Sequence, residues 1–152
     1  MSNFLIRPVT PEDYAQWLPL WVAYNAFYGR SGPTALPDML TQTTWARFLD
    51  PAEPMTATVA MKDREIVGLA HHLFHRSTSA IEMSCYLQDL FTVQAHREQG
   101  IARGLIEAVY AAAKQAGTAR VYWHTHETNR TAQKLYDKIA QRSGFIVYRK
   151  VL

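Results

Sequence analysis

Arginine, glycine and alanine recur at the mouth of one helix, in Arg97-Glu98-Gln99-Gly100-Ile101-Ala102. Gly100 admits a backbone conformation closed to other residues, and Ala102 keeps the helix start uncrowded. Backbone N–H groups from about Gln99 to Arg103 then point outward at the positive end of the helix. That is a natural seat for a pyrophosphate, with Arg97 and Arg103 adding charge. The same six residues also describe an ordinary glycine-opened helix. A Rossmann dinucleotide site is disfavoured, because the G-x-G-x-x-G triplet is absent and the strand leading in comes late in the chain.

A second constellation lies downstream. Thr128-Asn129-Arg130-Thr131-Ala132 opens the last helix, and Tyr136 follows Asn129 by about two turns, so both share one face. A tyrosine so placed can protonate a leaving group, or it can simply pack in the core.

These residues need a scaffold. Asn3 to Val9 reads as a first strand. Thr10-Pro11-Glu12-Asp13 reads as a helix start, with a capping hydroxyl, proline at the first helical position and two acids at the positive end of the dipole. The helix runs to about Tyr28 and is rich in aromatics. Gly29 to Pro37 is turn-rich, a second helix covers Pro37 to Leu49, and Asp50-Pro51 ends it. Thr56–Met61 and Ile66–Phe74 form a hairpin around Lys62-Asp63-Arg64-Glu65, and Glu82–Val93 is a long strand. Helix 100–115 ends at Gly117, followed by a strand over Ala119–Thr125, a helix over Asn129–Gln141 and a final strand over Phe145–Leu152. The sum is an α/β chain with one central mixed sheet and helices on both faces, predicted as a single domain over residues 1–152.

The bulk numbers narrow the function classes. A chain of 152 residues with 48% hydrophobic and 19% charged residues has an ordinary globular balance. No apolar run approaches the roughly 18 residues of a membrane span, and MSNFLIRPVT lacks the layout of a signal peptide. With a single cysteine, Cys85, no internal disulfide forms, and a cytoplasmic setting is expected. The net charge of +3 comes from scattered cations, which suits a solvated surface or a small polyanionic ligand. No basic cluster interleaved with aromatics points to nucleic acid.

Taken together, the two motifs resemble the GNAT superfamily of acetyl-coenzyme A-dependent N-acetyltransferases. The resemblance follows element order along the whole chain. It is most specific from Tyr86 to Ala102 and from Tyr122 to Tyr148, where YLQDLF, ETNRTAQKLYDK and GFIVYRK look most like the branch related to the yeast histone-and-other-proteins acetyltransferases. Polyamine acetyltransferases are similar relatives. The resemblance implies an acyl-CoA N-acyltransferase fold in which Arg97 to Ala102, with Arg103, binds the coenzyme pyrophosphate. It implies that Leu90, Phe91 and Thr92 pair with the pantetheine arm through their backbone, that Asn129 lies near that arm, and that Tyr136 is the acid. The chain departs from the family in two places. Glu98 and Ala102 stand where glycine is common, and Gln88 stands where polyamine-type relatives carry glutamate.

The implied chemistry needs a base. An alkyl ammonium with a pKa near 10.4 is neutral in roughly one molecule in a few thousand at pH 7. Asp89 is the nearest carboxylate to Gln88, and Glu82 starts the same strand. Strict alternation puts Gln88 and Asp89 on opposite faces, so a bulge is needed for both to reach the cleft. Such a splay is a family feature, so it is implied here. If no protein group acts as base, Gln88 holds the water. Strand N–H groups would polarise the thioester carbonyl, and Tyr136 would protonate the departing thiolate. Cys85 reads as core and not as a nucleophile.

His71 and His72 are adjacent and point apart. His124 and His126 share a face without an evident third ligand, so no metal is expected. One or two of these histidines suit the acceptor cleft or a proton shuttle. Tyr24 and Tyr28, just before the Gly29–Pro37 loop, are candidates to touch the acceptor. The expected function is acetyl transfer from acetyl-CoA to a primary amine: a small amine, an amino acid, a polyamine or a lysine side chain. The alternative is a non-catalytic coenzyme A-binding sensor or interaction module of the same fold. Phe145–Leu152 is a candidate to pair across a homodimer.

Overall fold

The computed structural model describes residues 3–152. One mixed sheet runs in the order β1-β2-β3-β4-β5. Its strands are β1 (Leu5–Pro8), β2 (Met55–Lys62), β3 (Glu65–His75), β4 (Ser84–Thr92) and β5 (Val121–Tyr122). The first four are antiparallel neighbours. β5 joins β4 in parallel through only Cys85 opposite Val121 and Tyr86 opposite Tyr122. Helices α1 (Tyr14–Phe27) and α2 (Asp38–Leu49) pack on one face. Helices α3 (Ile101–Gln115) and α4 (Arg130–Ile139) pack on the other. Among the described residues no helix is long and apolar enough to cross a membrane.

Local chemistry sets these elements. The β2–β3 hairpin turns on Asp63 and Arg64, both with positive φ, which matches the right-handed twist of the flanking strands. The Thr10-Pro11-Glu12-Asp13 start forms a 3-10 turn before α1. Its Asp13 carboxylate accepts the Thr10 backbone N–H at 2.8 Å and both Arg7 guanidinium N–H groups at 2.7 and 2.9 Å, tying the helix entry to β1. That arginine holds the Asp13 carboxyl down at about 2.

Two close approaches hold α3 on the sheet. A Cβ on Gly68 in β3 would lie 2.9 Å from Cγ2 of Ile101 and 3.2 Å from the Phe91 carbonyl oxygen. A Cβ on Gly104 would lie 2.9 Å from Ile6 and from the Phe4 ring. The start of α3 is thereby pressed onto the sheet beside the end of β4.

The C-terminal quarter departs from the sequence reading. The strand predicted over Ala119–Thr125 shrinks to Val121–Tyr122. The strand predicted over Phe145–Leu152 is absent, because the segment meets no sheet edge of its own chain. Residues 141–152 are exposed throughout, with Phe145 and Tyr148 each 90% accessible.

Candidate active site

The cleft begins at an irregularity. In the β3–β4 pairing His71 lies opposite Asp89 and His72 opposite Leu87, so Gln88 is an extra residue in β4. A bulge of this kind re-aims side chains. Gln88 and Asp89 both line a cleft of about 350 Å³, the arrangement that strict alternation forbids. Trp21 and Asn25 of α1 and Arg30 beyond it line the same cleft, as do the apolar side chains of Leu36, Leu40 and Phe48.

Asp89 is buried and held from behind. Its Oδ2 lies 2.9 Å from Nδ1 of His71, and His71 Nε2 lies 3.0 Å from Nε1 of Trp17. An indole only donates, so Nε2 is the acceptor and the imidazole proton sits on Nδ1, donating to the carboxylate. The Tyr24 phenol is pushed up by burial first, then by the Asp89 carboxylate, while the Arg30 cation pulls it the other way. Tyr24 therefore lies within the field of both charges. His72, which also lines the cleft, is depressed to about 4, chiefly by burial.

A groove opens beside the cleft. β5 leaves β4 after Tyr86, whereas β3 stays paired to it as far as Thr92. The β5-side edge of β4 from Leu87 to Thr92 thus lacks a neighbouring strand, which is the shape an extended amide-containing arm would fill. Near its far end, the Thr92 hydroxyl and His96 Nδ1 are shielded from solvent with no hydrogen-bond partner.

The Arg97–Ala102 turn follows. Glu98 has φ +62° and Gly100 φ +82°, so the turn places two residues in the left-handed region. The first bond of α3 runs from the Gly104 N–H to the Gly100 carbonyl. The N–H groups of Ile101, Ala102 and Arg103 are therefore free of intrahelical acceptors. The sequence reading missed Lys62 at the end of β2, whose Nζ donates to the Gln99 side chain at 2.8 Å. Only the folded hairpin brings that cation to the turn. Arg97 donates to the Thr92 carbonyl at 3.3 Å, and Arg103 to Glu107 at 2.9 Å.

Asn129 stands at the N-cap of α4 and its side chain makes no capping bond. Tyr136 is half-buried, its ring edge-on to Trp123 at 5.3 Å. Burial, with Tyr28 nearby, pushes its phenol up to about 12. Tyr28 likewise raises Tyr24 and Tyr86, so these tyrosines converge. Neither Tyr24 nor Tyr28 lines the cleft beside Asp89, where Trp21, Asn25 and Arg30 stand instead. Cys85 is fully buried and burial raises its thiol to about 11, as befits a core residue. Among the described residues no three His, Cys, Asp or Glu side chains gather as metal ligands. Glu82 lies outside β4 and lines a separate depression with Ser79 and Arg120.

Known proteins of this shape exist. Residues 17–140 match the acetyltransferase (GNAT) family. The chain is 33% identical to the D-amino-acid N-acetyltransferase HPA3 of Saccharomyces cerevisiae over 151 residues, covering 98% of this chain and 91% of the yeast protein. A transcriptional regulator from Bacillus halodurans C-125 superposes with a TM-score of 0.83 at 19% identity, covering 98% of this chain and 99% of the other. The aminoglycoside acetyltransferase AAC(6')-Iy, solved with a bisubstrate analogue, superposes with a TM-score of 0.80 at 18% identity, covering 99% and 100%. At those identities the two structures speak for the fold alone.

Proposed function

This chain belongs to the GNAT acetyltransferase family and transfers an acetyl group from acetyl-CoA to an amine, and from that premise we propose that transfer is direct, with Asp89 as base and Tyr136 as acid. The pantetheine arm lies along the open edge of β4 at Leu90, Phe91 and Thr92, near Asn129. The pyrophosphate sits on the Gln99–Arg103 amides, within reach of Arg97 and Lys62. Asp89 takes a proton from the acceptor ammonium, directly or through a water held by Gln88. The amine nitrogen attacks the thioester carbonyl carbon, the C–S bond breaks as Tyr136 protonates the leaving sulfur, and the nitrogen sheds its second proton to water, from which the Tyr136 phenolate is reprotonated. Strand N–H groups polarise the carbonyl oxygen as charge develops on it.

The observation that carries this reading is the bulge at Gln88, which puts a buried carboxylate on the cleft floor beside the open strand edge. The acceptor is a primary amine from the set of small amines, amino acids, polyamines and lysine side chains. The name of the yeast relative brings amino acids into that set. Coenzyme A release from acetyl-CoA with an amine panel tests it. Turnover abolished in Asp89→Asn supports the assignment, and undiminished turnover in that variant overturns it.

The exposed terminal segment supports a homodimer. Phe145, Ile146, Val147, Tyr148, Val151 and Leu152 are large apolar side chains in water, and the segment is rich in β-branched and aromatic residues. Pairing with a second copy would cover them. Sedimentation at micromolar concentration checks this, with a monomer as the contrary result. The one cysteine leaves no internal disulfide, which suits a cytoplasmic setting.

A further inference from the structure

We propose that Arg30 is a carboxylate anchor, and that the acceptor is an α-amino acid whose amine faces Asp89 while its carboxylate is gripped by Arg30. The inference rests on the reading of Asp89 as the base.

Arg30 follows α1 by three residues and is half-buried on the cleft wall. Its Nε donates to Oδ1 of Asn25 at 2.6 Å, and its backbone N–H donates to the Asn25 carbonyl at 2.9 Å. Asn25 is buried, and its Nδ2 donates to the Trp21 carbonyl at 2.8 Å, which fixes the amide. The guanidinium also lies over the Tyr28 ring, 5.5 Å from its centroid. The side chain is thus clamped through one nitrogen by a neutral partner. Among the described residues no carboxylate forms an ion pair with it. A half-buried guanidinium held this way keeps its terminal N–H fork for a planar anion.

The rest of the cleft agrees. Among the described residues that line it, Arg30 and Asp89 carry the only formal charges, since His71 is held as the neutral Nδ1–H tautomer and His72 stays neutral. Both line one cleft of about 350 Å³, and both charges reach the Tyr24 phenol beside it. A zwitterion matches that pair of opposite charges. A polyamine would bring a second ammonium against Arg30, and a lysine side chain would bring no anion to it. Leu36, Leu40, Phe48 and Met55 supply an apolar part of the wall, beside Thr44, which suits an apolar side chain on the amino acid.

Coenzyme A release with a matched series tests the anchor: leucine in each enantiomer, leucinamide, and 3-methylbutylamine, which lacks the carboxylate. The unaltered enzyme is expected to favour one leucine enantiomer over its amide and the amine by about 10- to 100-fold in kcat/KM. In Arg30→Gln that ratio should collapse toward one, and Arg30→Lys should restore part of it. Equal use of amide and acid by the unaltered enzyme overturns the anchor, as does turnover of a polyamine but of no amino acid. In either case the acetyltransferase reading stands. Loss of turnover on every amine by the unaltered enzyme would instead remove the reading beneath it. The comparison within the unaltered enzyme holds even if the Arg30 variants fail to fold.

Discussion

Trp17 and His71 define each other: the indole N–H, which can only donate, lies 3.0 Å from His71 Nε2 and leaves the imidazole proton on Nδ1 facing Asp89. A hydrogen-bonded chain thus runs from α1 through β3 to one carboxylate oxygen on β4, and the bulge at Gln88 aims the group into the cleft. The aromatic richness of α1 acquires a second meaning here. Trp17 stacks on Trp21 at 5.6 Å and packs on Trp45 at 4.8 Å, and the same ring system orients the imidazole behind the proposed base.

Asp89→Asn keeps the shape and loses the base. Its kcat should fall by about 100-fold or more, with acetyl-CoA affinity unchanged by calorimetry. On the proposed reading His71 acts through Asp89 as a positioning residue. His71→Gln should lower kcat about 10-fold while KM for the acceptor moves less than about twofold. Proportional loss in both constants would mark a merely structural role.

Tyr136 is raised to about 12 by burial and by Tyr28, so it keeps its proton far above neutrality. Tyr136→Phe should cost about 100-fold in kcat with little change in acetyl-CoA affinity. The pH–rate profile of the unaltered enzyme should show no descending limb from this group below about pH 11. An alkaline limb near pH 9 that vanishes in the variant would place the phenol well below the value its burial implies, whereas undiminished turnover in Tyr136→Phe would contradict the acid role.

Much of this site is legible in the sequence, and the reasons for the rest are physical. Gly100, Asn129 and Tyr136 declare themselves because backbone conformation and helical spacing are local properties. Asp89 is legible as a candidate, but its partner His71 comes from register between strands, which no local spacing reveals. Lys62 and Arg30 were missed because hairpin and loop geometry bring them to the turn and the cleft. Phe145–Leu152 has the aromatic and β-branched composition of a strand, yet composition reports only that a partner is wanted, and among the described residues the segment pairs with no strand.

Glu98 occupies the left-handed region at φ +62°, which explains why glycine is common at this position in similar turns. Glu98→Gly relieves the strain and also removes a negative charge beside the proposed phosphate seat. Part of the gain is offset by the entropy of glycine in the unfolded chain. Stability should rise by about 0.5 kcal/mol, and the Kd for coenzyme A should fall a few-fold at low salt. A lower Tm with weaker coenzyme binding would mean that the glutamate side chain supports the turn.

Asp13 ties stability to acid pH. Its carboxyl falls from 3.8 to about 2, chiefly through the Arg7 hydrogen bonds, with the Thr10 N–H adding to them. A depressed folded-state pKa stabilises the native state above the unfolded value, and that contribution disappears as pH falls through the folded one. The relevant window is therefore about pH 4 down to about pH 2. Arg7 is 31% exposed, so solvent screens part of the interaction, and about 1–2 kcal/mol is a fair magnitude. Asp13→Asn should lose that amount in urea denaturation at pH 7, and the gap between variant and unaltered protein should close by pH 2. A gap that persists undiminished at pH 2 would show that the asparagine disturbs packing, and that the charge of Asp13 is not what anchors α1 to β1.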